Sequence, residues 1–169
     1  MSNFMIALIL IISVITDLRS RKILNIVTLP AILVALIYHT FTPGLDGFLF
    51  SGKGFLVGLG LLLIPFLMKG IGAGDVKLLA AIGAWKGAMF VLYTAVYAGI
   101  IGGLVAVVVL VKNKRLGFTL KNMLFSLMFL KGVKGSLQIS DNGNNSISIP
   151  YAVPIALGAL LTFLMEAFL

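Results

Sequence analysis

Cysteine is absent from the 169 residues, and histidine occurs once, at His39. The first absence excludes disulfides, thiolate nucleophiles and cysteine-ligated zinc or iron–sulfur centres. The second argues against a metal site built from imidazoles, so no metal or cofactor is expected. Charge is scarce as well. Only 11% of the residues are charged while 60% are hydrophobic, against roughly 25% charged in soluble domains. A soluble chain of this length has no core large enough to hide so much apolar surface, whereas lipid accepts it. The expected fold class is all-α, a polytopic membrane helical bundle, with one membrane-embedded domain over residues 1–169.

The few acids, five against thirteen Lys and Arg, leave a strongly basic chain. In a soluble protein that balance would suggest nucleic acid. Here the basic residues sit in short clusters between apolar runs, the pattern that orients membrane proteins, which points to lipids as partners and away from nucleic acid. The N-terminal MSNFMIALILIISVITD lacks a basic leading segment and a small-x-small cleavage site, so it is read as a retained first membrane helix.

About six helices follow from the apolar runs, each of roughly 15–25 residues, long enough to cross the hydrocarbon with some help at the ends. The first covers residues 3–18 and closes at Arg19-Ser-Arg-Lys22. The second covers 23–41, before the Thr42-Pro43-Gly44 turn. A third begins after Lys53, carries Gly54, Gly58 and Gly60, bends at Pro65 and ends at Lys69. The fourth follows Gly70-Ile-Gly-Ala-Gly74 and runs from Asp75 to Trp85. The fifth covers 87–111, with Ala95, Gly99 and Gly103 at the four-residue spacing that permits close helix approach. The sixth covers 150–168, with Pro150 suited to a first turn. Residues 112–149 form the longest polar stretch, a cytoplasmic loop. Within it, 118–130 is apolar but interrupted by Lys121, Asn122 and Ser126, which fits an interfacial helix, and Ser140-Asp-Asn-Gly-Asn-Asn145 is turn chemistry.

Six alternating spans with the N-terminus and C-terminus both outside put eleven basic residues on the inner side and leave only Lys53 and Lys86 outside. The opposite orientation inverts that bias, against the positive-inside rule. In this topology Asp17, at the end of the first helix, and Asp75, at the start of the fourth, share the cytoplasmic edge. Asp46 and Glu166 fall outside, and Asp141 lies in the loop.

An acid at the membrane boundary is costly to desolvate and is a functional candidate by default. Each also has a structural explanation: Asp17 as a charge balanced by Arg19 or Arg21, Asp75 as a helix N-cap. Two glycines before the second acid, in Gly72-Ala-Gly74-Asp75, shift the balance, because they allow backbone approaches that a Cβ would block. Two carboxylates brought together resist ionising together, so one keeps a proton while the other stays charged. The charged member can activate water, and the protonated one can hydrogen-bond a scissile carbonyl. This chemistry needs no metal, cofactor or thiol.

Asp17 with Arg21-Lys22-Ile23-x-Asn25, then Gly72-Ala-Gly74-Asp75-Val76-Lys77-Leu78, resembles the prepilin peptidases (type IV leader peptidases), the GxGD membrane aspartyl proteases. The late segment Pro150-Tyr-Ala-Val-Pro154-Ile-Ala-Leu-Gly158 is similar to that family's last helix. The resemblance implies that Asp17 and Asp75 are a catalytic pair in a multi-pass cell-membrane protein, with Gly72, Gly74 and Lys77 lining the substrate's approach. It also implies cleavage of a short basic leader from pilin-like precursors at the cytoplasmic face, in the service of type IV pilus assembly and protein secretion. Larger members carry an extra cytoplasmic domain with a cysteine quartet, and many methylate the new N-terminus. This chain has neither that insertion nor a cysteine, and is similar to the short branch serving Flp/Tad-type pili or, as preflagellin-type peptidases, archaeal surface filaments.

A different class of function remains open on the residues alone. A small ion-coupled transporter or channel could use the same two carboxylates, but its sites usually lie near the bilayer midplane, often within an inverted repeat. No repeat is visible in this chain. Lys77 has two readings as well, as a cation acting on Asp75 or as a side chain snorkelling to headgroups.

Overall fold

The computed structural model describes residues 1–21, 23–42, 44–67, 71–112 and 151–168. Six helices and no strand occur among them: α1 (Ser2–Ser20), α2 (Asn25–Phe41), α3 (Leu45–Leu67), α4 (Ala73–Lys86), α5 (Ala88–Lys112) and α6 (Ala152–Phe168). The chain divides into two compact units, one of Met1–Gly102 with Pro150–Leu169 and one of Gly103–Ile149. In the second unit the described residues, 103–112, are the last turns of α5.

Helix ends follow from local chemistry. Arg21 adopts the left-handed conformation (φ 52°) and its N–H bonds the Asp17 carbonyl at 2.8 Å, closing α1. Extended Leu24 then starts α2. Gly44 and Gly87, both at positive φ, turn the chain between α2 and α3 and between α4 and α5. At Gly87 a Cβ would also strike the Phe50 ring, so two constraints favour glycine there.

The first unit is built around α4. Leu78, Leu79, Ala80, Ala81, Ile82 and Ala84 are fully buried, and Trp85 nearly so. Its small residues let α3 come close: a Cβ on Gly58 would lie 2.5 Å from the Leu79 carbonyl oxygen, and one on Gly54 would meet the Gly83 backbone. This is small-residue packing of the kind that joins helices in lipid. Polar groups reinforce it. Ser51 donates to the Ala84 carbonyl at 2.8 Å, and the Trp85 indole N–H donates to the Ala31 carbonyl of α2 at 3.0 Å. On α6, a Cβ at Gly158 would sit 2.6 Å from the Thr94 carbonyl of α5, while Thr94 and Thr162 share a hydroxyl hydrogen bond at 3.3 Å.

The outer surface carries the opposite character. Phe4, Ile11 and Leu18 on α1, Ile26, Leu33 and Ile37 on α2, and Leu56 and Ile64 on α3 are exposed, while Ser13, Asp17, Thr28, Ser51, Asp75, Thr94 and Thr162 are buried. Such apolar exposure is unsustainable in water. Three helices are long and apolar enough to cross a membrane: Ser2–Ser20, Leu45–Leu67 and, within α5, Ala88–Val108. Asn25–Phe41 and Ala152–Phe168 are shorter apolar helices. These features point to a membrane protein.

Three expectations are revised. The third helix begins at Leu45 rather than after Lys53, because Lys53 is exposed on the helix surface and does not interrupt it. The fourth begins at Ala73 rather than at Asp75, and its 14 residues span about 21 Å at 1.5 Å per residue. It gains its stability from enclosure by protein. In the small-residue row of α5, Gly99 makes no close approach, since a Cβ there would meet nothing within 4 Å; tight backbone approaches occur at Gly54, Gly58, Gly83 and Gly158. The sixth helix starts at Ala152. Lys22, Pro43, Lys69, Gly70, the interfacial helix expected at 118–130, the turn segment at 140–145 and Pro150 lie outside the described residues.

Candidate active site

The helices alternate in direction, so one end of the unit collects the end of α1 and the starts of α2, α4 and α6. There Asp17, Arg21, Ile23, Asn25, Gly72, Ala73, Gly74, Asp75 and Lys77 line one cavity of about 320 Å³. Both acids are buried: Asp17 is 6% exposed and Asp75 8%. The sequence-expected residues Asp17, Asp75, Gly72, Gly74 and Lys77 are therefore all brought to one place. Asp46 and Glu166 are not. Asp46 lies in the first turn of α3, and Glu166 pairs with Lys86 at 2.6 Å, near the end of α4 remote from the cavity. Asp141 is outside the described residues.

Neither acid is held as its simplest explanation requires. Asp17 makes no ion pair with Arg19 or Arg21 among the described residues. Its Oδ2 accepts the backbone N–H of Ala152, at the first residue of α6, at 3.0 Å. Asp75 is not an N-cap. It is the third residue of α4, and its Oδ2 accepts the N–H of Gly72, the residue that caps the helix, at 3.2 Å. Each carboxylate thus meets backbone donors at a helix start, where free N–H groups and the helix dipole favour negative charge.

The glycines act through close approach. Gly72 has an ordinary extended conformation (φ −75°). A Cβ there would lie 3.1 Å from Asp75 Oδ2 and crowd the carboxylate. A Cβ on Gly74 would lie 2.8 Å from Ile23 Cβ, so this glycine admits the segment between α1 and α2 to the cavity wall. Lys77 donates to Asn25 Oδ1 at 2.9 Å, tying α4 to the start of α2 rather than bonding Asp75.

One contributor is not visible in the sequence: the Ala152 N–H, a backbone group with no residue-type signature beyond a nearby Pro150. Ser13, one helical turn before Asp17, is buried with its hydroxyl unpartnered among the described residues, but it does not line the cavity. No group of three or more His, Asp and Glu able to hold a metal occurs among the described residues.

Two buried carboxylates from different helices in one open cavity, with a glycine pair admitting backbone beside them, is an arrangement suited to acid–base work on a peptide. The sequence profile of the type IV leader peptidase family matches residues 4–107, more than half of the chain. The chain belongs to the type IV leader peptidase family. The matched stretch contains both aspartates and the Gly72-Ala-Gly74 segment; α6, which supplies the contact to Asp17, lies beyond it. Neither the curated proteins nor the solved structures give a significant match.

Proposed function

We propose that this leader peptidase family member is a membrane aspartyl endopeptidase that removes the basic leader of type IV pilin-like precursors at the cytoplasmic face. The observation that carries the reading is that Asp17 and Asp75, both buried, line one cavity at the end of the unit. Close carboxylates hold one proton between them. The ionised member takes a proton from a water molecule as that water attacks the scissile carbonyl carbon. The protonated member hydrogen-bonds the carbonyl oxygen and transfers its proton as the tetrahedral intermediate forms. When the C–N bond breaks, the protonated aspartate gives its proton to the leaving amine and the other takes one from a hydroxyl of the tetrahedral carbon, which yields the carboxyl product and restores the shared-proton state.

The topology that suits this chemistry has six spans with both termini outside. Arg19, Arg21 and Lys77 lie at or near the cavity end, whereas Lys53 and Lys86 lie near the other, in keeping with a cytoplasmic cavity under the positive-inside rule. A basic leader gains little from this basic rim. Binding would come mainly from the precursor's apolar helix partitioning into the same bilayer, with anionic headgroups screening like charges. Gly72, Gly74 and Lys77 border the path by which the peptide reaches the acids.

An ion-coupled transporter fits less well. Asp17 lies near the end of α1 and Asp75 in the first turn of α4, whereas transport sites sit on broken helices at mid-depth. The test is co-expression with a pilin-like precursor carrying a basic leader. Wild-type protein is expected to shorten it, and Asp17→Asn and Asp75→Asn are each expected to abolish cleavage at unchanged protein level. Full activity in either variant would sink the pair.

A further inference from the structure

Asp17 reaches the cavity from α1, yet the group that fixes its carboxylate comes from α6, 135 positions away in the chain. The donor is the N–H of Ala152, one of the α6 donors that have no partner inside their own helix. Ala152 is itself fully buried, so water does not compete readily for this bond. Val153 follows with a second early N–H, and Pro154 offers none. The positive end of α6 is thus concentrated on very few donors, one of which is committed to Asp17.

We infer that the backbone N–H of Ala152 is a positioning group for Asp17, fixing the rotation of its carboxylate in the cavity. The contact also makes the site conditional on the seating of α6: without that helix the aspartate keeps its place on α1 but loses its orientation. The catalytic consequence rests on the peptidase reading; the orientation of Asp17 does not.

The other charged and titratable groups facing this contact are Asp75 and Lys77 on α4, Arg21 after α1, and Tyr151 immediately before α6. Among the described residues, only the Ala152 N–H hydrogen-bonds the Asp17 carboxylate.

The experiment removes the donor without removing a side chain. Ala152→lactate, introduced as an amide-to-ester change, replaces the N–H by oxygen, and Ala152→Pro removes it at a first-turn position where proline is tolerated. Two readouts are taken. The carbon-13 carboxyl signal of Asp17, assigned with Asp17→Asn, is expected to change position and broaden in the ester variant as the carboxylate loses its single rotation. For precursor cleavage, kcat is expected to fall about tenfold with KM little changed. An unchanged Asp17 signal in the folded ester variant overturns the inference. If the wild type cleaves no precursor while the signal still changes, the peptidase reading fails and the positioning role stands. Should the proline variant not fold, the ester variant decides alone.

Discussion

At the scale of single residues, the two glycines before Asp75 have separable duties. Gly72 leaves room for a carboxylate, since a Cβ would come within 3.1 Å of Asp75 Oδ2. Gly72→Ala should displace that oxygen from its backbone donor while leaving the apolar packing of α4 intact. Misplacing a reacting group by about 1 Å costs up to about a hundredfold in rate. Precursor cleavage is therefore expected to fall ten- to a hundredfold with the melting temperature nearly unchanged; equal loss of both would assign Gly72 a structural role only. Gly74→Ala has a different signature, because its Cβ would meet Ile23 across the chain at 2.8 Å. It should lower stability and activity together. Both glycines were legible in the sequence as places where a Cβ would obstruct. Which atoms it would obstruct depends on the position of Ile23, which no local pattern encodes.

At the scale of elements, the helices were legible as apolar runs, and their boundaries followed Gly44, Gly72 and Gly87. Their partners were not legible. Gly54 and Gly58 of α3 face the backbone of α4, whereas Gly60 faces open space although it sits in the same glycine-rich stretch. Gly58→Leu is expected to destabilise by about 1–3 kcal/mol or more through overpacking against Leu79 and Ala80. Gly60→Leu should stay within about 0.5 kcal/mol. Reversible unfolding in a mixed detergent would compare them, and equal effects would refute the assigned α3–α4 contact. Lys53 misled the reading for a related reason: one exposed lysine is tolerated on a helix whose other faces pack or meet lipid, so charge alone does not mark a boundary.

At the scale of the molecule, the question is which end of the unit faces which compartment. The absence of cysteine makes this direct to test, since any cysteine introduced is the only one. Arg21→Cys lies at the cavity end, and Thr42→Cys lies at the opposite end of α2. In intact cells a membrane-impermeant maleimide is expected to label position 42 and to spare position 21 until the membrane is opened. The reverse pattern would invert the proposed topology and place the acids on the wrong side for a cytoplasmic leader. The Lys86–Glu166 pair near the remote end, with the ammonium 5.1 Å and 4.9 Å from the Phe90 and Phe163 rings, fixes α6 against the end of α4 and the start of α5. It is the one salt bridge among the described residues.

Composition and hydropathy determined by themselves that this chain is helical and apolar outside, because a backbone in lipid must satisfy its own hydrogen bonds and only helices do so segment by segment. The motif around Asp75 and the position of Asp17 marked the two acids for the same physical reason: an acid beside hydrocarbon needs a partner or a purpose. Only the tertiary structure decided what surrounds them. It put both carboxylates on one cavity, turned Lys77 to Asn25, gave Asp75 the Gly72 N–H, and brought the Ala152 N–H to Asp17 across most of the chain. Backbone donors carry no residue identity, and helix packing depends on shape summed over many side chains. A linear pattern can nominate the acids; the packing of α1, α4 and α6 supplies the groups that orient them.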